Sequence, residues 1–236
     1  MDTSKRIRVI LSRLNRAYGK PELFPRSDPV DEVVRTVLSQ NTNDRNSLAA
    51  FAVLKKAFTP WSKALTAPVL RIARLIRHAG LSNLKAGRIK DILKDIKRRE
   101  GRLSLSRVGK MSVSDGLEYL MSFKGVGPKT AACVMLFSFR KTVMPVDTHI
   151  FRVTKRLGLI GGKTGIEEAH RILDRLVPNN LKFNFHLGII EHGRQTCKAQ
   201  NPRCGSCVLY SICKFIDKML YKCKVKSEKC KIKTKN

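Results

Sequence analysis

The chain has 236 residues, of which 42% are hydrophobic, and its 48 Lys and Arg against 18 acidic residues give a formal net charge of +30 at pH 7. Such a length can bury a core in one large or two small domains. Its longest apolar stretches, 49–54 and 131–139, are far shorter than the roughly 20 residues of a bilayer span, which argues against a membrane-spanning protein. The charge predicts a polyanionic partner and favours a nucleic acid over a membrane; a merely basic surface is the alternative.

Apolar periodicity predicts an all-α protein, with no convincing strand pattern and no repeat. The first predicted helix carries an apolar stripe formed by Ile7, Ile10, Leu11 and Leu14. The second opens at Asp28-Pro29 and has acidic residues in its first turn, which is typical of a helix N-terminus. Further helices are predicted at about 44–57, 68–77, 84–99 and 114–121, and their apolar stripes should enclose one bundle.

A second group of predicted helices lies at about 129–138, 148–157, 166–176 and 183–191 and leads into a cysteine-rich segment. Two groups of helices in sequence predict two lobes. The segment beyond Phe215 is rich in lysine and poor in large apolar residues, so we expect a disordered extension in which Cys223 and Cys230 are free thiols.

Four cysteines near the end of the chain have the order C-x6-C-x2-C-x5-C: Cys197, Cys204, Cys207 and Cys213. Four thiolates so close in sequence can surround one metal ion or one cluster, and nearby cations favour the deprotonated ligand. The cations that neighbour them in sequence are Arg194, Lys198, Arg203 and Lys214. Two disulfides are the alternative, but residues 1–11 carry charges throughout and lack a secretory apolar core. Spacing alone favours iron–sulfur over zinc only modestly and leaves both open.

A glycine-rich turn, with Gly125 and Gly127, separates an apolar helix from another that starts near Pro128. This pattern predicts a helix–hairpin–helix, because glycines allow positive φ and close approach to a phosphate, to which the next helix's free amides donate hydrogen bonds. A plain interhelical turn is the alternative. Lys129 follows at the helix start, and Asp147 heads the next helix, so a lysine and an aspartate could face one cleft.

Four stretches make the chain resemble the endonuclease III family of helix–hairpin–helix DNA glycosylases over roughly residues 5–215. They are VLSQNT at 37–42, GVGPKTA at 125–131, VDTHIFRV at 146–153, and HGRQTC from 192 on to the last of the four cysteines. The resemblance implies two helical lobes with the DNA cleft between them. It implies a six-helix barrel at 28–141 with the hairpin motif at 115–138, a cluster lobe at 142–215 that 1–27 completes, and a basic tail at 216–236.

The same resemblance implies a [4Fe–4S] cluster bound by Cys197, Cys204, Cys207 and Cys213. In the family this cluster is mainly structural and positions a basic loop, here Lys198 to Arg203, against DNA phosphates. The lysine aligned with Lys129 is the family's nucleophile, and the aspartate aligned with Asp147 assists it. The expected activity is therefore that of a bifunctional DNA glycosylase and abasic-site lyase of base excision repair, acting on oxidised pyrimidines.

Several residues are expected to contact DNA. The damaged base must leave the stack before an amine can reach C1′, so a side chain has to fill the vacated space. Gln40 matches a family glutamine with that role, and Leu81 follows Gly80 in a loop that resembles the family's wedge; a helix cap and an ordinary buried leucine are the alternatives. His149 is expected to contact phosphate or to satisfy a backbone carbonyl. The remaining expected contacts are Gly125, Gly127, Thr130, Lys198 and Arg203.

The hairpin departs from the family pattern, which leaves the preferred base open. Phe123-Lys124 stands in place of the usual leucine-proline, Pro128 in place of arginine, and Ala132 where asparagine is frequent. A mismatch or modified-base glycosylase and a non-catalytic iron–sulfur module that binds DNA or senses redox state are the alternative functions. The expected partner is double-stranded DNA, and the protein is expected to be an intracellular monomer of cytoplasm or nucleoid without a nucleotide cofactor.

Overall fold

The computed structural model describes residues 2–22 and 25–218. Across these ranges the chain forms helices and loops and no strand, which confirms the all-α prediction. None of the helices within them is long and apolar enough to cross a membrane. The expectations for 219–236, including those for Cys223 and Cys230, fall outside the described residues. Residues 216–218 are described, and Lys218 Nζ donates a hydrogen bond to the Tyr210 carbonyl at 3.2 Å, so the predicted disorder does not begin directly after Phe215.

The chain divides into two compact units. The first joins 2–22 to 144–218, and the second is Pro25–Val143. The first unit contains α1 (Thr3–Tyr18), α9 (Thr148–Leu157), α10 (Ile166–Leu176) and α11 (Lys182–Gln195). The second contains α2 (Pro29–Ser39), α3 (Asp44–Ala57), α4 (Ser62–Thr66), α5 (Val69–Leu75), α6 (Ser82–Glu100), α7 (Val113–Met121) and α8 (Pro128–Phe139).

Local signals account for the start of α2. The Asp28 carboxylate accepts hydrogen bonds from the amides of Val30 and Asp31 at 2.9 and 3.1 Å, and Pro29 occupies the first helical position, where its missing N–H costs nothing. The face with Val33 and Val37 is buried. Helix α2 packs against α3 and α8, and its last residue lies at the candidate site.

Helix α8 is buried along nearly its whole length, from Thr130 to Ser138. Such a helix has no solvent-facing stripe, so its sequence is apolar all round. It packs against α2 on one side and α7 on the other. At its first turn Pro128 is exposed and Lys129 is half-buried, so this end of the helix reaches the surface of the unit.

The core of the first unit gathers apolar residues from all four of its helices. The predicted stripe of α1 is buried, and α1 packs against α11. The larger members of this core include Ile7, Leu14, Ile150, Val153, Leu173, Phe185 and Ile189. Three of the four candidate ligands, Cys197, Cys207 and Cys213, are partly buried and pack against this core. The hydrophobic core therefore supports the cysteine-rich segment.

Two elements differ from the sequence prediction. Helix α4, at Ser62–Thr66, was not expected, because its five residues are too few to show a periodic pattern. Helix α6 begins at Ser82 rather than 84, and no side chain caps it. Its preceding residue, Leu81, has a left-handed backbone with φ 49°, which no sequence signal for a helix start describes.

Candidate active site and iron–sulfur segment

The turn between α7 and α8 requires one of its two glycines. Gly125 has φ +93°, and a Cβ built there would lie 2.5 Å from Cδ of Arg88. Gly127 has φ −98°, and a Cβ there would meet nothing within 4 Å. The expected positive φ therefore holds at Gly125 only. At Gly127 neither the backbone conformation nor the neighbouring atoms require a glycine.

Replacing Gly125 by Ala is expected to strain the hairpin by about 1–3 kcal/mol, since alanine disfavours positive φ and its methyl group displaces Arg88. Melting temperature should fall by a few degrees, and the affinity for duplex DNA should fall with it. Gly127→Ala is the matched control, with a near-native melting temperature. Equal thermal stability of the two variants would contradict the assignment of strain to Gly125.

The first turn of α8 presents backbone amides. Pro128 has no amide hydrogen, and the helical hydrogen bonds begin with Ala131 N to Gly127 O at 3.0 Å, so the amides of Lys129 and Thr130 precede them. The side chain of Thr130 is buried, with 2% of the residue exposed. Any surface contact by Thr130 is therefore restricted to its amide.

Lys129 is half-buried, and its amine is oriented by the end of α2. Its Nζ donates to Ser39 Oγ at 3.0 Å, and Ser39 Oγ donates in turn to the Thr36 carbonyl at 2.8 Å. Because the serine hydroxyl has a single proton, its oxygen is left as an acceptor for the amine. Sequence reasoning missed Ser39, although it lies in the VLSQNT stretch.

A buried carboxyl lies on the same helix as Ser39. Glu32 is 4% exposed and accepts a hydrogen bond from Arg35 Nη1 at 3.1 Å. Burial raises the pKa of the Glu32 carboxyl, while the charges of Arg35 and, more weakly, Lys129 lower it. Glu32 therefore belongs to the electrostatic surroundings of Lys129, which its place among the acidic residues of the first turn did not suggest.

Gln40, the C-cap of α2, is held by an arginine. Arg88 Nη1 donates to Gln40 Oε1 at 2.6 Å, and both side chains are half-buried. The same arginine is the one that packs beneath Gly125. Arg88 thus joins Gln40, the predicted space-filling glutamine, to the hairpin. It lies 48 residues after Gln40 and 37 residues before Gly125 in the sequence.

Leu81 is exposed and strained, unlike an ordinary core leucine. It has 54% of its surface exposed and a backbone φ of 49°. A bulky non-glycine residue in the left-handed region costs of order 1–3 kcal/mol and persists where surrounding structure enforces it. Gly80 beside it has φ 68°, and a Cβ there would lie 3.9 Å from the Asn41 carbonyl, so the Gln40 and Leu81 loops are neighbours.

A buried lysine ties these two loops together. Lys85 is 1% exposed, and its Nζ donates to the carbonyls of Leu38 and Ala79 at 2.8 and 2.7 Å. Burial lowers the pKa of the Lys85 amine. Sequence reasoning assigned Lys85 only to a helix, because lysines are rarely buried.

Asp147 belongs to the first unit and caps α9. Its Oδ1 accepts a hydrogen bond from the Ile150 amide at 2.7 Å. Capping engages one carboxylate oxygen of two, so it leaves acceptor capacity for another role. Thr148 follows as the first residue of the helix.

His149 is held by Arg152 rather than by a backbone carbonyl. Arg152 Nη2 lies 3.1 Å from His149 Nδ1, and the guanidinium also donates to the carbonyls of Gly193 and Cys197, at 3.1 and 3.0 Å. A guanidinium only donates, so Nδ1 accepts, and the neutral ring carries its proton on Nε2. A Cβ at Gly193 would lie 3.0 Å from His149, so glycine permits this packing.

The four cysteines line one cavity, and none of them is in a disulfide. Its other walls are mostly apolar and include Val153, Leu157, Pro202, Leu209 and Phe215. Burial raises the pKa of the Cys207 thiol to about 12 and raises the pKa values of Cys204 and Cys213 as well. Buried thiols of this kind become thiolates when a metal takes the place of their protons.

The donor set suits a cluster. Among the described residues, no three Cys, His, Asp or Glu side chains converge closely enough to hold a single metal ion. A cubane takes one thiolate for each iron, so its ligands surround a volume rather than one point, and four thiols around a mostly apolar cavity fit that requirement.

Helix α9 holds the loop that follows the first cysteine. Arg156 Nη1 lies 3.4 Å from Cys197 Sγ and 2.6 Å from the Lys198 carbonyl, and Nη2 donates to Ala199 O at 3.0 Å. The amide of Arg203 closes the loop on Thr196 O at 2.9 Å. Lys198 and Arg203 are exposed. The cation against the ligand sulfur is therefore Arg156, 41 residues away in sequence, which local inspection of the cysteines missed.

Comparisons with known proteins identify the family to which the sequence is similar. Residues 34–179 match the model of the HhH-GPD superfamily base excision DNA repair proteins, and residues 197–213 match the iron–sulfur binding domain of endonuclease III. An Arabidopsis thaliana protein provisionally named as a DNA glycosylase is 39% identical over 171 residues, covering 72% of this chain and 58% of the plant protein. Endonuclease III of Thermotoga maritima is 36% identical over 197 residues, covering 81% of this chain and 87% of that protein.

Solved structures extend the agreement to the fold. A trapped endonuclease III–DNA covalent intermediate matches with a TM-score of 0.79 and 26% identity, covering 93% of this chain and all of that one. A non-covalent endonuclease III–DNA complex matches equally well, with a TM-score of 0.79. The chain therefore belongs to the endonuclease III family of base excision repair DNA glycosylases, whose iron–sulfur domain it carries at its cysteine-rich end.

Proposed function

We propose that this protein removes oxidised pyrimidines from duplex DNA and then cleaves the strand, with Lys129 as the nucleophile. The observation that carries this proposal is the position of the Lys129 amine. It follows the hairpin directly, lies at the surface end of a buried helix, and is oriented by Ser39 Oγ at 3.0 Å. A hydrogen bond to the neutral Ser39 hydroxyl positions the amine without binding it in an ion pair with a carboxylate.

The reaction begins when the neutral Lys129 amine attacks C1′ of the damaged nucleotide. A C1′–N bond forms, the glycosidic bond breaks, and the base departs with a proton. Opening of the sugar ring then gives an imine between Lys129 and C1′. Loss of the acidified 2′ proton breaks the C3′–O bond, so the 3′ phosphate leaves by β-elimination. Water finally hydrolyses the imine and restores the amine.

Asp147 is the proposed carboxylate of the reaction. Its Oδ1 is fixed by the Ile150 amide at 2.7 Å, which orients the group. The carboxylate would stabilise positive charge developing on the sugar or transfer a proton during imine formation. Capping and catalysis are compatible, since each uses a different oxygen.

The DNA backbone is proposed to bind at the hairpin and at the loop after Cys197. Gly127 leaves room for a phosphate, and the amides of Lys129 and Thr130 would donate hydrogen bonds to it. His149 would add its Nε2 proton as a donor. Lys198 and Arg203, both exposed, supply positive charge on a loop that Arg156 holds.

Gln40 and Leu81 are proposed to fill the duplex where the damaged nucleotide has left. Their loops are neighbours, Leu81 is exposed on a strained backbone, and Lys85 fixes both loops. An apolar side chain inserted between bases offsets part of the cost of unstacking. The partner is double-stranded DNA; we further propose that the protein acts as a monomer without a nucleotide cofactor.

Cys197, Cys204, Cys207 and Cys213 are the proposed ligands of a [4Fe–4S] cluster. When bound, the cluster would cross-link the segments of the chain that carry the four cysteines. Arg156 binds both the Cys197 sulfur and the carbonyls of the next residues, so the ligand and the proposed DNA loop share one support.

Replacing Cys204 by Ala is expected to remove the iron and the brown absorption near 400 nm and to lower the melting temperature of the purified protein. Cys133→Ala is the matched control, since Cys133 is likewise not in a disulfide but lies in α8 of the other unit. Iron content and absorbance check the outcome. Full iron occupancy in Cys204→Ala would remove that residue from the ligand set.

The proposed activity is tested by borohydride trapping on duplexes that carry thymine glycol, an abasic site, uracil or a G·T mismatch. Borohydride reduces the imine to a stable amine, so the lyase should give a covalent adduct with the abasic and thymine glycol duplexes. Peptide mapping of the adduct should place the modification on Lys129. The relative yields across the four duplexes identify the substrate class.

Other outcomes point to the alternative functions. An adduct formed with uracil or the G·T mismatch, and not with thymine glycol, would indicate a mismatch or modified-base glycosylase. Tight binding to all four duplexes without an adduct, including the abasic one, would exclude the lyase and leave a monofunctional glycosylase or a binding module. An adduct mapped to another lysine would exclude Lys129 as the nucleophile.

A further inference from the structure

Arg88 contacts two of the proposed DNA-binding elements at once. Its side chain runs under the hairpin, where a Cβ on Gly125 would lie 2.5 Å from Arg88 Cδ, and its Nη1 donates to Gln40 Oε1 at 2.6 Å. Arg88 is half-buried on α6, so its backbone is fixed by a long helix. Neither the proposed chemistry nor the resemblance gives this residue a role.

The contact between Arg88 and Gln40 determines the orientation of the Gln40 amide, that is, which side carries the oxygen and which the NH2 group. A glutamine side chain has a carbonyl oxygen and an NH2 group of nearly the same shape, and only hydrogen-bond partners decide their placement. A guanidinium donates and never accepts. The atom that faces Arg88 must therefore be the oxygen, and the NH2 group is left to contact other molecules.

We propose that Arg88 is a positioning residue that makes Gln40 a hydrogen-bond donor toward the base opposite the excised nucleotide. This inference rests on the proposed function, in which Gln40 enters the space that the damaged nucleotide leaves. A fixed amide presents donors to the acceptor atoms of the opposite base, whereas a freely rotating amide would adapt to any base. Arg88 therefore contributes to discrimination between opposite bases.

The hairpin in turn orients the Arg88 side chain. Gly125 has φ +93° and no side chain, so the arginine methylenes occupy the space that a Cβ would take. A methionine at position 88 keeps most of this packing and lacks the donor group. Arg88→Met thus separates the hydrogen bond to Gln40 from the support of the hairpin.

The experiment measures Kd for duplexes in which a tetrahydrofuran abasic analogue faces each of the four bases. This analogue cannot form the imine, so binding is read without chemistry. Native protein is expected to show a spread of Kd across the four bases of about five- to tenfold, the value of one hydrogen bond. In Arg88→Met the spread should shrink to less than about twofold. In Gln40→Ala the same loss is expected, and the double variant should match Gln40→Ala alone.

Abasic-site trapping by the same variants separates this inference from the proposed function. Arg88→Met should still form the adduct with saturating duplex, because Lys129 is unchanged. Absence of an adduct from native protein would defeat the proposed function itself. The inference alone is overturned if Arg88→Met keeps the native spread, or if the effects of the two single variants simply add. It is also overturned if Arg88→Met weakens all four duplexes equally and reduces the salt slope by about one, which would mark a phosphate contact.

Discussion

Replacing Lys129 by Gln is expected to abolish the covalent adduct and to slow strand cleavage by at least about 10³-fold, since loss of an enzyme's nucleophile can cost about 10⁶ in rate. Glutamine keeps most of the length of the side chain and an N–H donor at its end but cannot form an imine. Its amide can still donate to Ser39 Oγ, which accepts from Lys129 at 3.0 Å in the native protein. The packing of the α8 N-terminus should therefore persist, and the melting temperature should stay close to native.

Lys124→Gln is the control for this substitution. Lys124 is an exposed lysine of the same hairpin, five residues before Lys129, so the two variants lose the same charge. Both should bind duplex DNA with a similar, modest loss of affinity from the missing positive charge. Single-turnover cleavage of an abasic duplex, measured with both, should fail in Lys129→Gln only. Comparable adduct yields in the two variants would contradict the assignment.

Local sequence signals were sufficient for most helices and for the candidate chemistry. Asp28-Pro29 marked the start of α2 because a capping carboxylate and a proline act within one turn. Asp147 was placed at the head of α9 for the same reason. The cysteine spacing marked the metal segment, although the choice between zinc and a cluster came from the resemblance. These features depend on residues within a few positions of one another.

The supports of the site could not be predicted in this way. Lys85, Arg88 and Arg156 act on partners between 6 and 48 residues away, and nothing in their own neighbourhood distinguishes them from surface cations. Leu81 appeared as a wedge only by resemblance, since its left-handed backbone comes from the turn around it. In a chain with 48 Lys and Arg, burial is what separates a structural cation from a solvated one, and burial is a property of the fold.

The second large effect is expected at Lys85, the buried lysine under the Gln40 and Leu81 loops. Lys85→Met keeps most of the length of the side chain and removes every donor, so the carbonyls of Leu38 and Ala79 lose the amine that lies 2.8 and 2.7 Å from them in the native protein. Each buried carbonyl left unsatisfied costs about 1–3 kcal/mol, offset in part because the charged amine is no longer buried. A net loss of roughly 2–4 kcal/mol should lower the melting temperature by about 5–15 °C.

The consequence for function follows from the place of the two carbonyls. One belongs to the last turn of α2, before Gln40, and the other precedes Gly80 and the strained Leu81. The strained backbone of Leu81 persists only while hydrogen bonds hold the loop. Loss of those hydrogen bonds should let Leu81 relax to a negative φ. Lys85→Met should therefore bind duplexes with an abasic analogue about tenfold more weakly, even well below its melting temperature.

Lys94→Met, on the exposed side of the same helix, is the matched control for Lys85→Met. It removes an equal charge, and its melting temperature should stay within a degree or two of native, because exposed substitutions change stability by less than about 0.5 kcal/mol. Thermal melts of both variants, followed by binding at a temperature where both are folded, separate lost stability from lost loop geometry. Equal melting temperatures would mean that water replaces the lysine at the two carbonyls. A stability loss with native affinity would mean that the loops keep their geometry without it.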